Sequence, residues 1–395
     1  MKANPGAAGV GQGSAMRFVI LIGVVSLFAD MTYEGARSVT GPFLAVLGAS
    51  GAVVGIVAGG GELVGYGLRL VSGYLSDRTG RYWTITLFGY AVNMLAVPLL
   101  ALAGRWEVAA LLMVTERVGK AIRTPARDVM LSHATKAMGR GWGFGLHEAL
   151  DQIGAVLGPL IVAAVLQLRG GYRMAFAVLL GPALLALAVL VAARLLYPRP
   201  RDLEPASSEL EATGLPRAFW LYLAAVALVA AGYADFPLMA FHFEKRGLLA
   251  APSIAVFYAV AMGVDALAAL VFGRLFDRLG LTVLMVVSGL SALFAPLAVL
   301  GGAAAALLGT ALWGVGMGAQ ESIMRAAIAE MVPASRRGAA YGVFNAGYGV
   351  AWFLGSALMG ILYDVSIGWL VAFSVAMQLA SIPLLFVTRR ASALR

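Results

Sequence analysis

The chain has 395 residues, of which 61% are hydrophobic and 12% charged, with a mean hydropathy of +0.87 and no cysteine. Soluble domains carry about 45–50% apolar and about 25% charged residues, so this composition excludes an ordinary water-soluble fold and points to a bilayer as solvent. The missing cysteines exclude disulfides and thiolate metal sites, and the net charge of +9 is explained only by where the cations lie.

Twelve apolar segments follow one another, at roughly 16–47, 51–76, 83–103, 107–132, 141–168, 174–194, 218–244, 252–273, 281–300, 304–331, 339–364 and 367–388, broken by Gly, Pro, Arg and Asp clusters. Each approaches the ~20 residues that a helical span requires. Residues 1–15 read as a disordered tail. A cleaved signal peptide is not expected, because the first apolar segment is long and carries Asp30 and Glu34. Tyr197–Pro216 holds four prolines, with six acids and bases between Arg199 and Glu211, and reads as a linker. The expected domains are therefore an N-terminal bundle of six helices (16–196), a linker (197–216) and a C-terminal bundle of six helices (217–395).

With the N-terminus inside, seventeen of the 29 Lys and Arg fall on the inner loops and ends, five on the outer ones and seven within spans. The positive-inside rule then predicts a multi-pass protein of the inner (cytoplasmic) membrane with both termini in the cytoplasm. The basicity reports topology, and no nucleic-acid partner is expected.

A charge at the bilayer centre costs about 2.5–3.5 kcal/mol on insertion scales, so the intramembrane charges must pair or line an aqueous cavity. Span 1 carries Asp30 and Glu34 at i, i+4 with Tyr33 beside them and Arg37 a turn further on; span 2 carries Glu62, Tyr66 and Arg69 on one face. Span 4 carries Glu116, Arg117, Lys120, Arg123 and Arg127, with Pro125 placed to kink it. Span 5 carries His147, Glu148 and Asp151. The second half is thinner, with Asp235, His242, Asp265, Gln320, Glu321 and Arg325. These residues either satisfy one another as structural pairs or titrate and bind cargo. Asp30 and Glu34 are the first proton-coupling candidates, since like charges on adjacent turns oppose simultaneous ionisation, and Asp151 and Asp235 follow. Arg117, Lys120 and Arg123 are expected counter-charges or anchors for a carboxylate or phosphate.

The loop after span 2 reads Gly73-Tyr-Leu-Ser-Asp77-Arg78-Thr-Gly80-Arg81, and the loop after span 8 repeats it as Gly273-Arg-Leu-Phe-Asp277-Arg278-Leu-Gly280. Further matches link Arg140-Gly-Trp-Gly-Phe-Gly-Leu to Arg337-Gly-Ala-Ala-Tyr-Gly-Val, and span 4 to span 10. Two homologous bundles of six helices imply parallel repeats with a substrate site at their interface near mid-membrane. Over essentially its whole length the chain resembles a major facilitator superfamily transporter. Gly73–Arg81 resembles that superfamily's loop motif nearly residue for residue, and Gly154-Ala-Val-Leu-Gly158-Pro159 resembles the span-5 motif of its antiporters. Arg117 followed by Gly119 resembles the span-4 motif, in a more charged setting than usual.

The resemblance implies an all-α membrane fold of 12 transmembrane helices in two pseudo-symmetric bundles, moving a small polar or charged solute by alternating access. It also implies that Asp77 acts as a latch near the N-terminus of helix 11, with Arg78, Arg81 and Asp128 in support and Asp277 with Arg278 as an echo. Proton-coupled efflux is the expected mode, with protons and a small molecule as partners, the bilayer as solvent and a monomeric state. A proton-coupled importer, a metal or metal-chelate exporter and a non-transporting receptor or scaffold are the alternatives. No enzyme activity, metal site or cofactor is expected: there is no Gly-rich Lys loop for ATP, and three histidines without cysteine are a poor metal set.

Overall fold

The structure is a computed structural model, and it describes residues 12–135, 140–168, 170–198, 214–333 and 337–393. The side chains of 12–15, 77, 132, 133, 135, 140–145, 325, 329, 337–339, 392 and 393 also lie outside the described set. Every described element is a helix: α1 (Gln12–Val46), α2 (Gly51–Thr79), α3 (Tyr82–Leu99), α4 (Trp106–Thr135), α5 (Arg140–Gln167), α6 (Gly171–Val178), α7 (Leu180–Leu196), α8 (Arg217–Gly232), α9 (Phe236–Lys245), α10 (Ala251–Leu279), α11 (Thr282–Ser291), α12 (Phe294–Leu300), α13 (Ala303–Met331), α14 (Arg337–Val365) and α15 (Ile367–Ala393). Eleven spans are long and apolar enough to cross a membrane. The fourth, α4, has 30 residues but carries too much charge to qualify by composition.

The helix bounds add detail to three expectations. The tail is helical from Gln12 onward; residues 1–11, like linker residues 199–213, lie outside the described set. Spans 6, 7 and 9 are each two helices, α6–α7, α8–α9 and α11–α12. In span 7 the break follows Gly232, and Pro237 sits at the start of α9, where its missing N–H costs nothing and its ring bars a continuous ladder. Pro125, by contrast, is carried inside an unbroken α4.

Within the first half, α1 packs on α5, α7 and α4, and α3 lies against α4. Within the second, α10 packs on α13 and α15 on α8. The halves meet where α2 lies along α14, α5 along α10 and α1 along α9. Two large apolar clusters fill the bundles, the smaller built on Phe18, Trp83, Tyr90, Met94 and Leu190. Apolar side chains also cover the outside: Leu168 is 83% exposed and Leu102 78%. Such a surface suits lipid and would aggregate in water.

With twelve spans alternating in direction, the start of α1 and the end of α15 share one end of the bundle, the terminal end; the other is the distal end. At the distal end the backbones approach closely. A methyl on Gly41 of α1 would lie 1.9 Å from the Pro237 carbonyl oxygen, and one on Gly55 of α2 2.3 Å from that of Ser356. Near the terminal end the fit is looser: a methyl on Gly342 would meet only Leu70, at 3.6 Å.

Candidate functional site

The break in span 7 sets the geometry of the site. Asp235 is the N-cap residue of α9, in extended conformation, and makes no side-chain cap to its own helix. Its carboxylate turns instead to the other half, where Arg37 Nη2 lies 2.7 Å from Asp235 Oδ1. The same guanidinium nitrogen lies 3.4 Å from Glu62 Oε1 of α2. Glu62 in turn meets Arg117 of α4 at 3.3 Å, and Arg117 Nε meets Glu116 at 3.4 Å. Glu116 accepts a 2.6 Å hydrogen bond from Asn93 Nδ2 of α3. The result is a chain of alternating charge, Asp235–Arg37–Glu62–Arg117–Glu116, drawn from spans 7, 1, 2 and 4 and closed by span 3. A lone charge at this depth costs several kcal/mol, and each member lowers that cost for its neighbours.

A cavity with about 550 Å³ of empty space, its open mouth included, ends on this chain. Tyr33, Arg37, Glu116, Arg117 and Asp235 are at its polar end, and Leu44, Val54, Val97, Leu100 and Met113 are among its apolar walls. It lies among spans 1 to 4 with the span-7 break, so it belongs mostly to the first half.

Two turns closer to the terminal end than Arg37, Asp30 accepts from the Tyr33 hydroxyl at 3.2 Å, and Lys120 Nζ lies 3.8 Å from the Tyr33 ring centroid. Asp151, Lys120, Glu34 and Arg123 are the charged groups acting on Asp30. Glu34 accepts from the Tyr258 hydroxyl of α10, a second link between the halves. The antiporter-like glycines press on this turn of α1. A methyl on Gly154 would lie 2.2 Å from Leu27 O and one on Gly158 2.3 Å from Met31 O, the carbonyls that bracket Asp30. Only glycine lets α5, with Pro159 inside it, cross α1 so closely.

Deeper still, Arg127 donates to Ser26 Oγ at 3.1 Å, and Ser26 Oγ is hydrogen-bonded to His147 Nε2 at 2.9 Å. Asp128 was expected near Asp77 and Arg81; among the described residues its ion-pair partner is Arg127, at 2.8 Å. Arg123 is buried with its guanidinium carbon 4.2 Å from the Tyr90 ring centroid, and its Nε and Nη1 have no hydrogen-bond partner. Arg69 stands 5.2 Å from the Tyr66 ring centroid. Asp151 and Asp265 each keep one buried carboxylate oxygen without a hydrogen-bond partner. Glu148 and Glu321 are exposed, and the side chain of Arg325 lies outside the described residues.

The second half supplies what its thin charge did not suggest. Phe344, Tyr348 and Trp352 form an aromatic ladder on α14, with centroid spacings of 5.9 and 5.6 Å. Tyr222 stacks on its lower end at 6.0 Å, Tyr233 meets its upper end at 5.8 Å, and Tyr66 of α2 touches Tyr348 at 5.5 Å. Gln320 accepts from the Tyr348 hydroxyl at 2.9 Å. The signal was present in the sequence as aromatics at i, i+4 and i+8. Asn93, Tyr258, Ser26 and Tyr90 were missed because single polar residues in apolar helices carry no periodic pattern.

The loop motif is partly described. Gly80 ends α2 in the left-handed region (φ 60°), with its N–H donating to Ser76 O, and Gly280 ends α10 at φ 56°. Side chains with a Cβ are strained there, which accounts for both glycines. A methyl on Gly73 would meet Pro125 at 3.6 Å, an ordinary contact. Arg78 donates to Tyr74 of its own helix at 3.3 Å. Arg81, Asp277 and Arg278 are exposed. The Asp77 side chain, the expected latch, lies outside the described residues.

The Major Facilitator Superfamily profile matches residues 22–320 and 302–393. The chain belongs to that superfamily. Its similar relatives include the uncharacterized protein Mb2288 of Mycobacterium bovis, 47% identical over 383 residues that cover 95% of this chain and 94% of the relative. An uncharacterized MFS-type transporter of Methanocaldococcus jannaschii is 31% identical over 144 residues, 36% of each chain. Among solved structures, the nucleoside transporter NupG superposes with a TM-score of 0.73 at 15% identity, over 95% of this chain and 98% of that one. The peptide transporter POT in complex with sulfate gives 0.77 at 16% identity, over 96% and 95%. At such identities these likenesses establish the fold, which is the all-helical major facilitator architecture expected from the sequence. The protein is a multi-pass secondary transporter.

Proposed function

We propose that this superfamily member exports a small polar or charged solute by alternating access, in exchange for protons. The carrying observation is the Arg37–Asp235 pair: it joins the two halves within the membrane and continues through Glu62 to Arg117. A static scaffold gains little from a buried ion pair across its main interface, since apolar packing of the same volume is as stable. In a moving transporter, rocking of the halves breaks and remakes such a pair, which ties it to protonation and cargo. The glycines Gly154 and Gly158, packed against the turn that holds Asp30, support the antiporter mode. Asp30 and Glu34 are the proposed proton carriers, with Asp151 and Asp235 as secondary sites. The charged end and the apolar walls of the cavity favour a solute that combines charge with an apolar face.

The positive-inside asymmetry supports an inner-membrane protein whose terminal end is cytoplasmic, with half-domains 16–196 and 217–395 joined by the linker 197–216 and working as a monomer. The distal end is then outside, and the close backbone approach there supports a state in which the halves meet on that side.

The test is uptake into proteoliposomes under an imposed pH gradient, from a defined mixture of polar metabolites and antibiotics read by mass spectrometry. Accumulation of one or more solutes that a protonophore abolishes is expected. No flux of any solute would leave the scaffold reading, and flux that ignores the protonophore would remove proton coupling.

A further inference from the structure

The pattern Gly-x-Leu-x-Asp occurs at the ends of spans 2 and 8 as Gly73-Tyr-Leu-Ser-Asp77 and Gly273-Arg-Leu-Phe-Asp277. It occurs a third time, at the distal end of span 11, as Gly360-Ile-Leu-Tyr-Asp364. There its work is described in full. Asp364 Oδ1 accepts from the backbone N–H of Gly51 at 2.9 Å, and Oδ2 accepts from that of Ala52 at 2.7 Å. These are the first two residues of α2, in the other half. The third N–H, of Val53, goes to the N-cap Ser50 hydroxyl at 3.2 Å. One carboxylate from the second half thus satisfies two of the orphan donors of a helix in the first, at the positive end of its dipole.

The glycine one turn earlier makes this reach possible. A methyl on Gly360 would lie 2.5 Å from Gly51 O and 3.1 Å from the Cα of Gly55. With no side chain there, α14 runs against α2 backbone to backbone, and an aspartate four residues on arrives over the helix start. Tyr363 closes the contact over Gly51 and is hydrogen-bonded to His242 Nδ1 at 3.2 Å.

We infer that Asp364 is a positioning residue of the transport cycle: an outer latch that holds the distal ends of the halves together by capping α2, and that must let go before the distal side opens. It is the counterpart, with helices 2 and 11 exchanged, of the arrangement that the family resemblance implies for Asp77 near the start of helix 11. The two acids then compete: each stabilises closure of its own end, and their balance sets the resting ratio of the two states. This goes beyond the proposed function and is independent of cargo, ion and direction.

The chain has no cysteine, so spin labels can be placed without background. Leu102→Cys at the distal end of span 3 and Leu300→Cys at the distal end of span 9 are 78% and 61% exposed and lie on opposite halves. Pulsed electron–electron resonance distances between them, in nanodiscs, report opening of the distal side. In the labelled parent the short distance should dominate. Asp364→Ala should raise the ratio of long to short distances about fivefold, the usual size of a helix cap. Asp364→Asn, nearly isosteric but uncharged, should give a smaller rise in the same direction, which loss of packing alone would not produce. If the alanine variant does not fold, the asparagine variant decides. A distance distribution in Asp364→Asn equal to the parent's would overturn the inference.

Discussion

Arg37 on span 1 and Asp235 at the break of span 7 form a 2.7 Å ion pair that spans the boundary between the two halves. Glu62 shares the same guanidinium at 3.4 Å. Arg37→Ala therefore strands Asp235 and leaves Glu62 with Arg117 alone, whereas Asp235→Asn leaves Arg37 with Glu62. Removing one partner of a buried pair costs about 3–5 kcal/mol. Arg37→Ala should lower the thermal unfolding midpoint of the detergent-solubilised protein clearly more than Asp235→Asn does. The double exchange Arg37→Asp with Asp235→Arg should recover part of the Arg37→Asp loss. Equal losses in the two single variants would show that Glu62 does not share the arginine.

The antiporter-like glycines should be intolerant for steric reasons. Gly158→Ala places a methyl 2.3 Å from Met31 O, and the backbone cannot yield by that much without separating α5 from α1. Overpacking of this kind costs about 1–3 kcal/mol. Gly65→Ala and Gly67→Ala meet nothing within 4 Å and should be neutral or gain up to ~1 kcal/mol from helix propensity. Thermal unfolding by intrinsic fluorescence separates the two classes.

Gly73 separates folding from function. A methyl there makes an ordinary 3.6 Å contact with Pro125, so Gly73→Ala should unfold at the parent temperature. In the proposed closed terminal end, α14 must approach α2 as it does at Gly360, and the methyl then obstructs it. Transport should slow several-fold, as it should in Asp77→Asn with folding intact. A normal rate in both variants would remove the inner latch.

Tyr258→Phe removes the hydroxyl that Glu34 accepts from across the interface. The ring remains packed on Phe236, at 4.4 Å between centroids, so folding should be preserved. The transport rate should change, because the hydrogen bond from Tyr258 to Glu34 links the two halves. An unchanged rate would remove this link from the transport cycle.

The membrane class, the spans and the duplication could be read from hydropathy and from the motif repeated at Gly73 and Gly273, because both are written as local patterns. Asp30, Glu34, Arg37, Glu62, Arg117 and Asp235 could be singled out because charge in an apolar helix is conspicuous. Their pairing could not. Arg37 meets Asp235 only because span 7 breaks before Pro237, and the break turns on a proline that many continuous spans also contain. The aromatic ladder at Phe344, Tyr348 and Trp352 was present as a spacing of four, but ordinary core packing uses the same spacing. The Asp364 cap pairs residues 312 and 313 positions apart and leaves no trace in either segment alone.

Solute exchange and solute accumulation, measured in the same proteoliposomes, bear most directly on the claim that Asp30 and Glu34 couple protons to export. In Asp30→Asn and Glu34→Gln, counterflow exchange of a transported solute should persist, because alternating access is intact. Accumulation driven by an imposed pH gradient should fall to the level seen with a protonophore. Full gradient-driven accumulation in both variants would contradict the account.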